Sequence, residues 1–118
     1  MEQIDAVAAL AALAQDNRLA VYRLLVQAGP EGLPAGSVAS ALGLAPNTLT
    51  FHFDRLRMAD LVSVRRDGRF MIYAAKYNTM NALLRYLTEN CCRGRVDQRA
   101  PLANKTNPAK VGRRGRAA

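Results

Sequence analysis

The chain has 118 residues and a formal net charge of +8 at pH 7, and half of its residues are hydrophobic. That length fits one small domain with a packed core, and the sequence holds no run of about 20 apolar residues, the length that a membrane-spanning helix needs. Residues 1–5 lack the basic start of a secretory signal, so we expect a cytoplasmic protein with no membrane partner. The two cysteines are adjacent, Cys91 and Cys92, which excludes the disulfide framework of a small secreted domain.

The hydrophobic pattern predicts four helices in the first half of the chain. The first spans about residues 4–15, and the second runs from a cap at Asp16 or Asn17 to the turn of residues 29–32. The third spans about residues 34–42 and the fourth about residues 45–58. The third and fourth are short and are separated by a turn that contains Gly43. Such a pair is typical of a helix-turn-helix motif.

Residues 61–75 change to the alternating pattern of β-strands, and Asp67-Gly68 is a typical two-residue hairpin turn. Symmetric pairing about that turn would place Val62 opposite Tyr73 and Val64 opposite Met71, and these four side chains would form one buried face. The chain is therefore expected to be mainly α-helical with a β-hairpin.

A last helix is predicted over residues 78–90. Its apolar stripe consists of Met80, Leu83, Leu84 and Leu87. From residue 93 to the end the chain carries eight basic residues and one acid with few aliphatic side chains. Such a segment buries too little apolar surface to offset its ordering entropy, so we expect a folded domain over residues 1–92 and a disordered basic tail over residues 93–118.

The outer face of the fourth helix predicts DNA binding. Leu49, Phe53 and Leu56 share one apolar stripe and should be buried, which leaves short polar side chains outside. Such side chains read base edges in the major groove, while arginines nearby contact phosphates. The candidate DNA-binding residues are Asn47, Thr48, Thr50, Phe51, His52 and Arg55 on this helix and Arg65, Arg66 and Arg69 on the hairpin. For His52, core packing and a phosphate contact are both open.

Four stretches resemble the ArsR/SmtB family of metalloregulators. They are LAQDNRL at residues 13–19, ALGLAPNTLTFHFDRL at residues 41–56, and ADLV with RRDGR at residues 59–62 and 65–69. The resemblance covers about residues 3–92 and implies a homodimeric winged helix-turn-helix repressor that leaves its double-stranded operator DNA when an inducer binds. It also implies a dimer interface built from the first and last helices.

The metal ligands of two branches of that family are missing here. Many arsenic sensors have cysteines in the third helix, and residues 33–39 contain none. Zinc sensors have histidine and acidic ligands along the last helix, where residues 77–90 contain no histidine and one carboxylate, Glu89. A structural zinc site with four nitrogen or sulfur ligands also exceeds what two cysteines and one histidine supply.

Cys91 and Cys92 are the candidate inducer site. They resemble an arsenic-responsive branch with an Asn-Cys-Cys sequence and a third cysteine a few residues later, which residues 93–99 lack. Inorganic arsenite takes three sulfur ligands, whereas a monomethylated trivalent arsenical needs two. We therefore predict a trivalent arsenical as inducer, methylarsenite in preference to arsenite, with antimonite also possible and no catalytic cofactor. Because successive helical side chains diverge by about 100°, the two sulfurs converge only if the backbone leaves helical geometry, which a helix end before Gly94 permits.

Other roles for the cysteines remain open. One is a redox-sensing repressor in which Cys91 and Cys92 form a strained disulfide, and another is a repressor with no effector. A small thiol enzyme, such as an arsenate reductase, would need an anion-binding loop before Cys91 and an acid–base partner, and neither is evident, so we expect no enzyme. An arsenic carrier would leave the fourth helix and the hairpin without a purpose.

Overall fold

The computed structural model describes residues 1–94, so all of the predicted tail beyond Gly94 lies outside the described residues. The chain divides into two units, one over residues 1–87 and one that begins at Thr88. The elements are α1 (Gln3–Leu13), α2 (Asp16–Ala28), β1 (Leu33–Pro34), α3 (Ala35–Leu42), α4 (Pro46–Met58), β2 (Val62–Asp67), β3 (Phe70–Ala75), α5 (Tyr77–Thr88) and a short 3-10 helix (Cys91–Gly94). This order confirms a mainly helical fold with a β-hairpin wing. Within residues 1–94, no helix has the length and apolar character to span a membrane.

Helix α1 turns small side chains inward and larger ones outward. Ala6, Ala9 and Ala12 are buried, whereas Val7 and Leu10 are exposed. Alanines let α1 approach the rest of the core closely, since they add little bulk at the contact. The larger side chains are left as an apolar stripe on the outside of the helix.

Helix α2 is capped one residue earlier than predicted. The cap is Gln15 rather than Asp16 or Asn17, and its side-chain oxygen accepts a hydrogen bond from the Arg18 backbone N–H at 2.8 Å. Gln15 has extended backbone angles, as an N-cap residue does. Arg18 also donates from Nε to the carbonyl of Ala12 at 2.6 Å, which ties α2 to the end of α1.

Helices α3 and α4 form the predicted helix-turn-helix. Gly43 ends α3 in the left-handed conformation (φ 66°), which a residue with a side chain rarely adopts. Pro46 occupies the start of α4, where its missing N–H costs nothing. The predicted apolar stripe of α4 is confirmed, since Leu49, Phe53 and Leu56 are all buried.

The buried face of α4 packs on the sheet through two aromatic rings. The rings of Phe53 and Tyr73 are stacked with their centroids 3.7 Å apart and their planes 3° from parallel. Tyr73 lies in β3, the central strand of the sheet. This contact holds the second helix of the motif against the strands that form the wing.

His52 belongs to the core rather than to the surface. His52 is 5% exposed, and neither of its ring nitrogens has a hydrogen-bond partner among residues 1–94. The prediction that His52 contacts DNA is therefore wrong, because the neighbouring stripe of α4 carries it inward. Burial lowers the pKa of His52 below its ordinary value, and the positive charge of Arg18 lowers it further.

The sheet has one more strand and a different register than predicted. Its order is β1-β3-β2, and β1 pairs Leu33 with Tyr73 and Pro34 with Ile72. Strands β2 and β3 pair Val62 with Ala75, Val64 with Tyr73 and Arg66 with Met71. The two loop residues are thus Gly68 and Arg69, not Asp67 and Gly68. Gly68 has φ +65° and stands at the first loop position, where a two-residue turn of the Gly-X type requires it.

The shifted register changes which side chains are buried. Val62 stays in the buried face, and its partner is Ala75 instead of Tyr73. Met71 lies near the tip of the hairpin and is exposed, so the prediction that it is buried is wrong. A shift by an even number of residues keeps each side chain on the same face of the strand, so the inward residues of β2 are unaffected.

Helix α5 begins at Tyr77 and ends at Thr88, two residues before the predicted end at residue 90. The hydroxyl of Tyr77 donates to the carbonyl of Val26 at 2.8 Å, which fixes the start of α5 to α2. Of the predicted apolar stripe, Leu83 is buried, whereas Leu84 and Leu87 are exposed. The stripe therefore serves two surfaces, the core of the domain and its outside.

Asp60 connects α4 to the segment before α5. Its carboxylate accepts hydrogen bonds from Lys76 Nζ at 2.5 Å and from Thr79 Oγ1 at 3.1 Å. The hydrogen bond from Lys76 lowers the pKa of Asp60 below its ordinary value.

Replacing Gly32 should destabilise the fold. Gly32 has φ +75°, and a Cβ there would lie 2.3 Å from the carbonyl oxygen of Tyr73. We expect Gly32→Ala to lower the free energy of unfolding by at least about 2 kcal/mol, from backbone strain and the clash together. Gly36→Ala is the control, since its added Cβ would meet nothing within 4 Å, and it should change stability by at most about 1 kcal/mol. Urea denaturation measures both, and equal stabilities of the two variants would contradict the packing described for β1.

His52 should make the protein less stable in mild acid. The unfolded chain binds a proton near pH 6.5, whereas the folded chain resists it, so stability is fully present above about pH 6.5 and is lost as the pH falls. His52 is the single histidine of the chain. We expect the free energy of unfolding to fall by up to about 1 kcal/mol between pH 7 and pH 5.5, and we expect His52→Leu to flatten that slope. Denaturation at several pH values tests this, and the same slope in both proteins would contradict it.

Candidate nucleic-acid interface and cysteine pair

The outer face of α4 presents most of the predicted DNA-binding side chains to solvent. The exposed members are Asn47, Thr48, Thr50, Phe51 and Arg55. Two of them are oriented by local hydrogen bonds. The side-chain oxygen of Asn47 accepts from the Thr48 N–H at 3.0 Å, and Thr50 Oγ1 donates to the Pro46 carbonyl at 3.0 Å. The NH₂ group of Asn47 and a lone pair on the Thr50 hydroxyl oxygen take no part in these bonds, so they can form hydrogen bonds with a base edge.

Phe51 lies near the centre of this outer face. Asn47 is four residues before it and Met58 seven residues after it, and both are exposed, as the helical period requires. The Arg55 guanidinium carbon lies 5.5 Å from the centroid of the Phe51 ring, within the range of a cation–π contact. One turn along, Asp54 and Arg57 form an exposed ion pair at 3.5 Å.

The wing carries the remaining predicted arginines. Arg65, Arg66 and Arg69 are all exposed. Arg65 and Arg66 are successive residues of β2, so their side chains leave opposite faces of the hairpin. Arg66 Nε donates to the carbonyl of Gly68 at 3.2 Å, which folds this side chain back over the turn. The hairpin therefore presents positive charge on both faces and at its tip.

His52 is the one predicted DNA-binding residue that does not join this surface. The spacing of Leu49, His52, Phe53 and Leu56 is i, i+3, i+4 and i+7, the pattern of a buried stripe. This spacing is visible in the sequence and predicts burial of His52 in spite of its polar ring. No pattern in the sequence indicates that Arg18 lies near His52, yet Arg18 is half-buried and its charge lowers the pKa of His52.

Cys91 and Cys92 lie in the 3-10 helix of the second unit. Their sulfur atoms are 3.1 Å apart, and no disulfide joins them. Asn90 and Cys92 have positive φ values of 59° and 55°, so the backbone on each side of Cys91 has left the α-helical region. The α-helix ends earlier than expected, at Thr88, and a short 3-10 helix then runs from Cys91 through Gly94. Cys92 is exposed and Cys91 is half-buried, so the pair is open to a small molecule.

The pair has no third protein ligand in the described part of the chain. Within residues 1–94, no three histidine, cysteine or acidic side chains come close enough to hold a metal ion together. An atom bound by these cysteines therefore has two sulfur ligands from residues 1–94, and any further ligand comes from another source.

Residues 13–65 match a family model described as a helix-turn-helix domain. The chain is similar to YceK, an uncharacterized HTH-type transcriptional regulator of Bacillus subtilis (strain 168), with 33% identity over 73 residues, which are 62% of this chain and 72% of YceK. It is also similar to the nodulation protein NolR of Rhizobium meliloti, with 31% identity over 80 residues, which are 68% of this chain. The chain spans 63% of the length of NolR.

A solved structure from Mycobacterium bovis has the same fold. It is the homodimeric winged helix-turn-helix DNA-binding domain of a possible ArsR-family transcriptional regulator. The two chains align with a TM-score of 0.61 at 23% identity, over 75% of this chain and 82% of that one. The chain therefore belongs to the helix-turn-helix transcriptional regulators, which bind DNA, and it has the winged-helix fold of the ArsR-family structures.

Proposed function

We propose that the chain is a homodimeric repressor that binds operator DNA through α4 and the wing and leaves it when a trivalent arsenical binds Cys91 and Cys92. The observation that carries the proposal is the 3.1 Å approach of the two sulfurs, three residues after α5 ends. Helix α5 also carries exposed leucines that suit a subunit interface. Inducer binding and subunit contact would then be linked through one continuous stretch of backbone.

In this proposal α4 lies in the major groove of the operator. The Asn47 amide donates to base acceptors, and the Thr50 oxygen accepts from a base amino group, since their other hydrogen-bonding atoms are already used. Arg65, Arg66 and Arg69 of the wing neutralise phosphates on the flanking backbone. When the logarithm of the binding constant is plotted against the logarithm of the salt concentration, each neutralised phosphate makes the slope steeper by about 0.9. Phosphate contacts do not depend on base sequence, so the wing would contribute affinity more than specificity.

An apolar outer surface on α1 and α5 supports the dimer. Val7 and Leu10 of α1 and Leu84 and Leu87 of α5 are exposed. Ala8 of α1 and Ala82 of α5 line opposite parts of one open cleft, so the two helices lie on the same side of the domain. Contiguous exposed apolar surface is typical of protein interfaces, and the Mycobacterium bovis domain with this fold is homodimeric. A two-fold dimer would place two copies of α4 about 34 Å apart, the spacing of successive half-sites on one side of DNA.

Charge on α5 should separate the subunits. We expect the wild-type chain to sediment as a dimer and Leu84→Glu to sediment as a monomer, because the interface would bury an unpaired carboxylate. The monomer should bind the upstream DNA of its own gene at least 10-fold more weakly, since it contacts one half-site.

The matched control for that experiment is Leu19→Glu on α2. Leu19 is 45% exposed and Leu84 is 51% exposed, so the two substitutions make similar changes to the monomer surface. Leu19→Glu should remain dimeric. A monomeric wild-type chain at micromolar concentration would contradict the dimer, and so would a dimeric Leu84→Glu variant.

The distance between the sulfurs suits chelation of one thiophilic atom. With bonds of about 2.3 Å, as in zinc thiolates, and a right angle at a pyramidal centre, two sulfur ligands lie about 3.3 Å apart. The observed 3.1 Å requires little movement of Cys91 or Cys92. Soft thiolates select soft ions, which favours trivalent arsenic or antimony over hard cations such as magnesium.

The count of protein sulfurs favours a methylated arsenical. Methylarsenite carries one As–C bond and two As–O bonds. Attack by the thiols of Cys91 and Cys92 forms two As–S bonds, breaks the two As–O bonds and releases two water molecules, with no change in the oxidation state of arsenic. Arsenite would keep one As–O bond, or it would take a third sulfur from a small thiol or another subunit.

Release of DNA would follow from a change at the end of α5. Chelation restrains the torsion angles of Cys91 and Cys92, and the φ of Cys92 is already positive (55°). Because α5 supplies Leu84 and Leu87 to the proposed interface, a change in its last turn alters the separation of the two α4 helices. A coupling of about 1–3 kcal/mol would lower operator affinity roughly 5- to 150-fold.

The same sulfur contact supports one alternative, a peroxide-sensing repressor. Two thiols and one hydrogen peroxide give a disulfide and two water molecules, with the sulfurs oxidised and the peroxide reduced. The S–S distance would have to shorten from 3.1 Å to about 2.05 Å within an eight-membered ring. This ring is strained, so we rank the alternative second.

Loss of the thiols should abolish the response to arsenic without affecting DNA binding. We expect methylarsenite to release the wild-type chain from its upstream DNA, and we expect Cys91→Ser/Cys92→Ser to stay bound, because neither cysteine belongs to α4 or the wing. Either single variant should behave like the double one, since one sulfur cannot chelate. Gel-shift titration with and without methylarsenite measures this. Release of the double variant by methylarsenite would overturn the assigned site, and release of the wild type by peroxide alone would favour the redox alternative.

A further inference from the structure

Phe51 is an unusual residue for the centre of a polar helix face. It is 54% exposed, although the other aromatic residue of α4, Phe53, is fully buried. Its i+4 neighbour Arg55 and its i−4 neighbour Asn47 are polar and exposed. More than half of this residue is left uncovered by its own domain, so apolar surface remains for a partner.

The ring of Phe51 has a neighbour on its own helix at each of two sides. Arg55 contacts its face at 5.5 Å, and the His52 ring lies tilted at 59° with its centroid 5.8 Å away. His52 is itself buried, so one side of Phe51 rests on a fixed part of the core. A ring ordered before binding loses little conformational freedom when a ligand covers it.

We propose that Phe51 reads the C5-methyl group of a thymine in each half-site of the operator. The inference rests on the proposed binding of α4 in the major groove. In that groove base edges present hydrogen-bond donors and acceptors, and the thymine methyl is the one apolar group. A phenyl ring over a donor or acceptor would strip its water without replacing it, which costs affinity, whereas a phenyl ring over the methyl buries apolar surface on both sides.

Arg55 has a second part in this recognition. Its guanidinium is placed by the Phe51 ring one helical turn away, and its donors remain available to the O6 and N7 atoms of a guanine. Four residues of helix advance about 6 Å, or roughly two base-pair steps of about 3.4 Å. The thymine read by Phe51 therefore lies within about two base pairs of a guanine.

Replacement of thymine by deoxyuridine tests the proposal, since it removes the methyl group and leaves the hydrogen-bonding edge unchanged. The full chain is first used to select its preferred duplex from a random pool. Each thymine of that duplex is then replaced in both half-sites. One replaced pair should weaken the wild type roughly fourfold per half-site and about 15-fold for both, the ratio expected for one buried methyl group at each.

The variant Phe51→Ala completes the cycle. It should bind the thymine and deoxyuridine duplexes equally, because it lacks the ring that senses the methyl. Met58→Ala is the control. Met58 lies on the same face of α4 and is 80% exposed, and its loss should leave the discrimination between the two duplexes intact.

Three results would count against the proposal in different ways. A preferred duplex in which no thymine replacement weakens the wild type would overturn the reading by Phe51 and leave operator binding intact. A thymine effect that persists in Phe51→Ala would also overturn it and would assign the contact to another residue. Failure to select any preferred duplex would overturn the proposed function, and this inference with it.

Discussion

The stacking of Phe53 on Tyr73 is the contact on which the proposed DNA-binding surface depends. It joins the buried side of α4 to β3, and β3 is bonded on one side to β1 and on the other to β2. Helix α4 and the arginine-bearing strand β2 are thus both joined to the same central strand. Base reading tolerates little misplacement of side chains, so a site held on packed elements is more precise than one on loops. Because the inner face of α4 is held by this packing, its polar outer face stays exposed for the proposed contact with DNA.

The helices of the helix-turn-helix and the inner face of α4 were predictable, because the residue preferences for helix ends and the apolar spacing agree with the fold. Gly43 marks the end of α3, and the apolar stripe that contains Phe53 marks the inner face of α4. The failures have physical reasons. Strand β1 has two residues, which is too short to show a period, and it exists because β3 offers an unpaired edge. The turn was misplaced because Asp67-Gly68 suits a turn with two positive φ values, whereas the hairpin uses Gly68 alone. For His52 the sequence left core packing and a phosphate contact open, and its burial in the apolar stripe of α4 favours packing.

The cysteine pair shows the limit of prediction from the sequence. Adjacent cysteines are visible in any sequence, but adjacency alone predicts divergence when the backbone is helical. In the structure the sulfurs are 3.1 Å apart, beside positive φ values at Asn90, a residue that often adopts this conformation after a helix, and at Cys92, which rarely does. The same local departure from helical geometry ends α5. A ligand that fixes these torsion angles would act on backbone that follows directly on α5, the helix that carries Leu84 and Leu87 of the proposed subunit interface.

The most direct test of this linkage uses its reciprocity. If an arsenical lowers the affinity of the protein for DNA, bound DNA must lower the affinity for the arsenical by the same factor. The measurement is the affinity of the full chain for methylarsenite, without DNA and with saturating operator duplex. The account predicts binding that is roughly 5- to 150-fold weaker on DNA, equal to the loss of DNA affinity caused by methylarsenite. Equal affinities for methylarsenite with and without DNA would show that the cysteines are not coupled to the operator and would contradict the account.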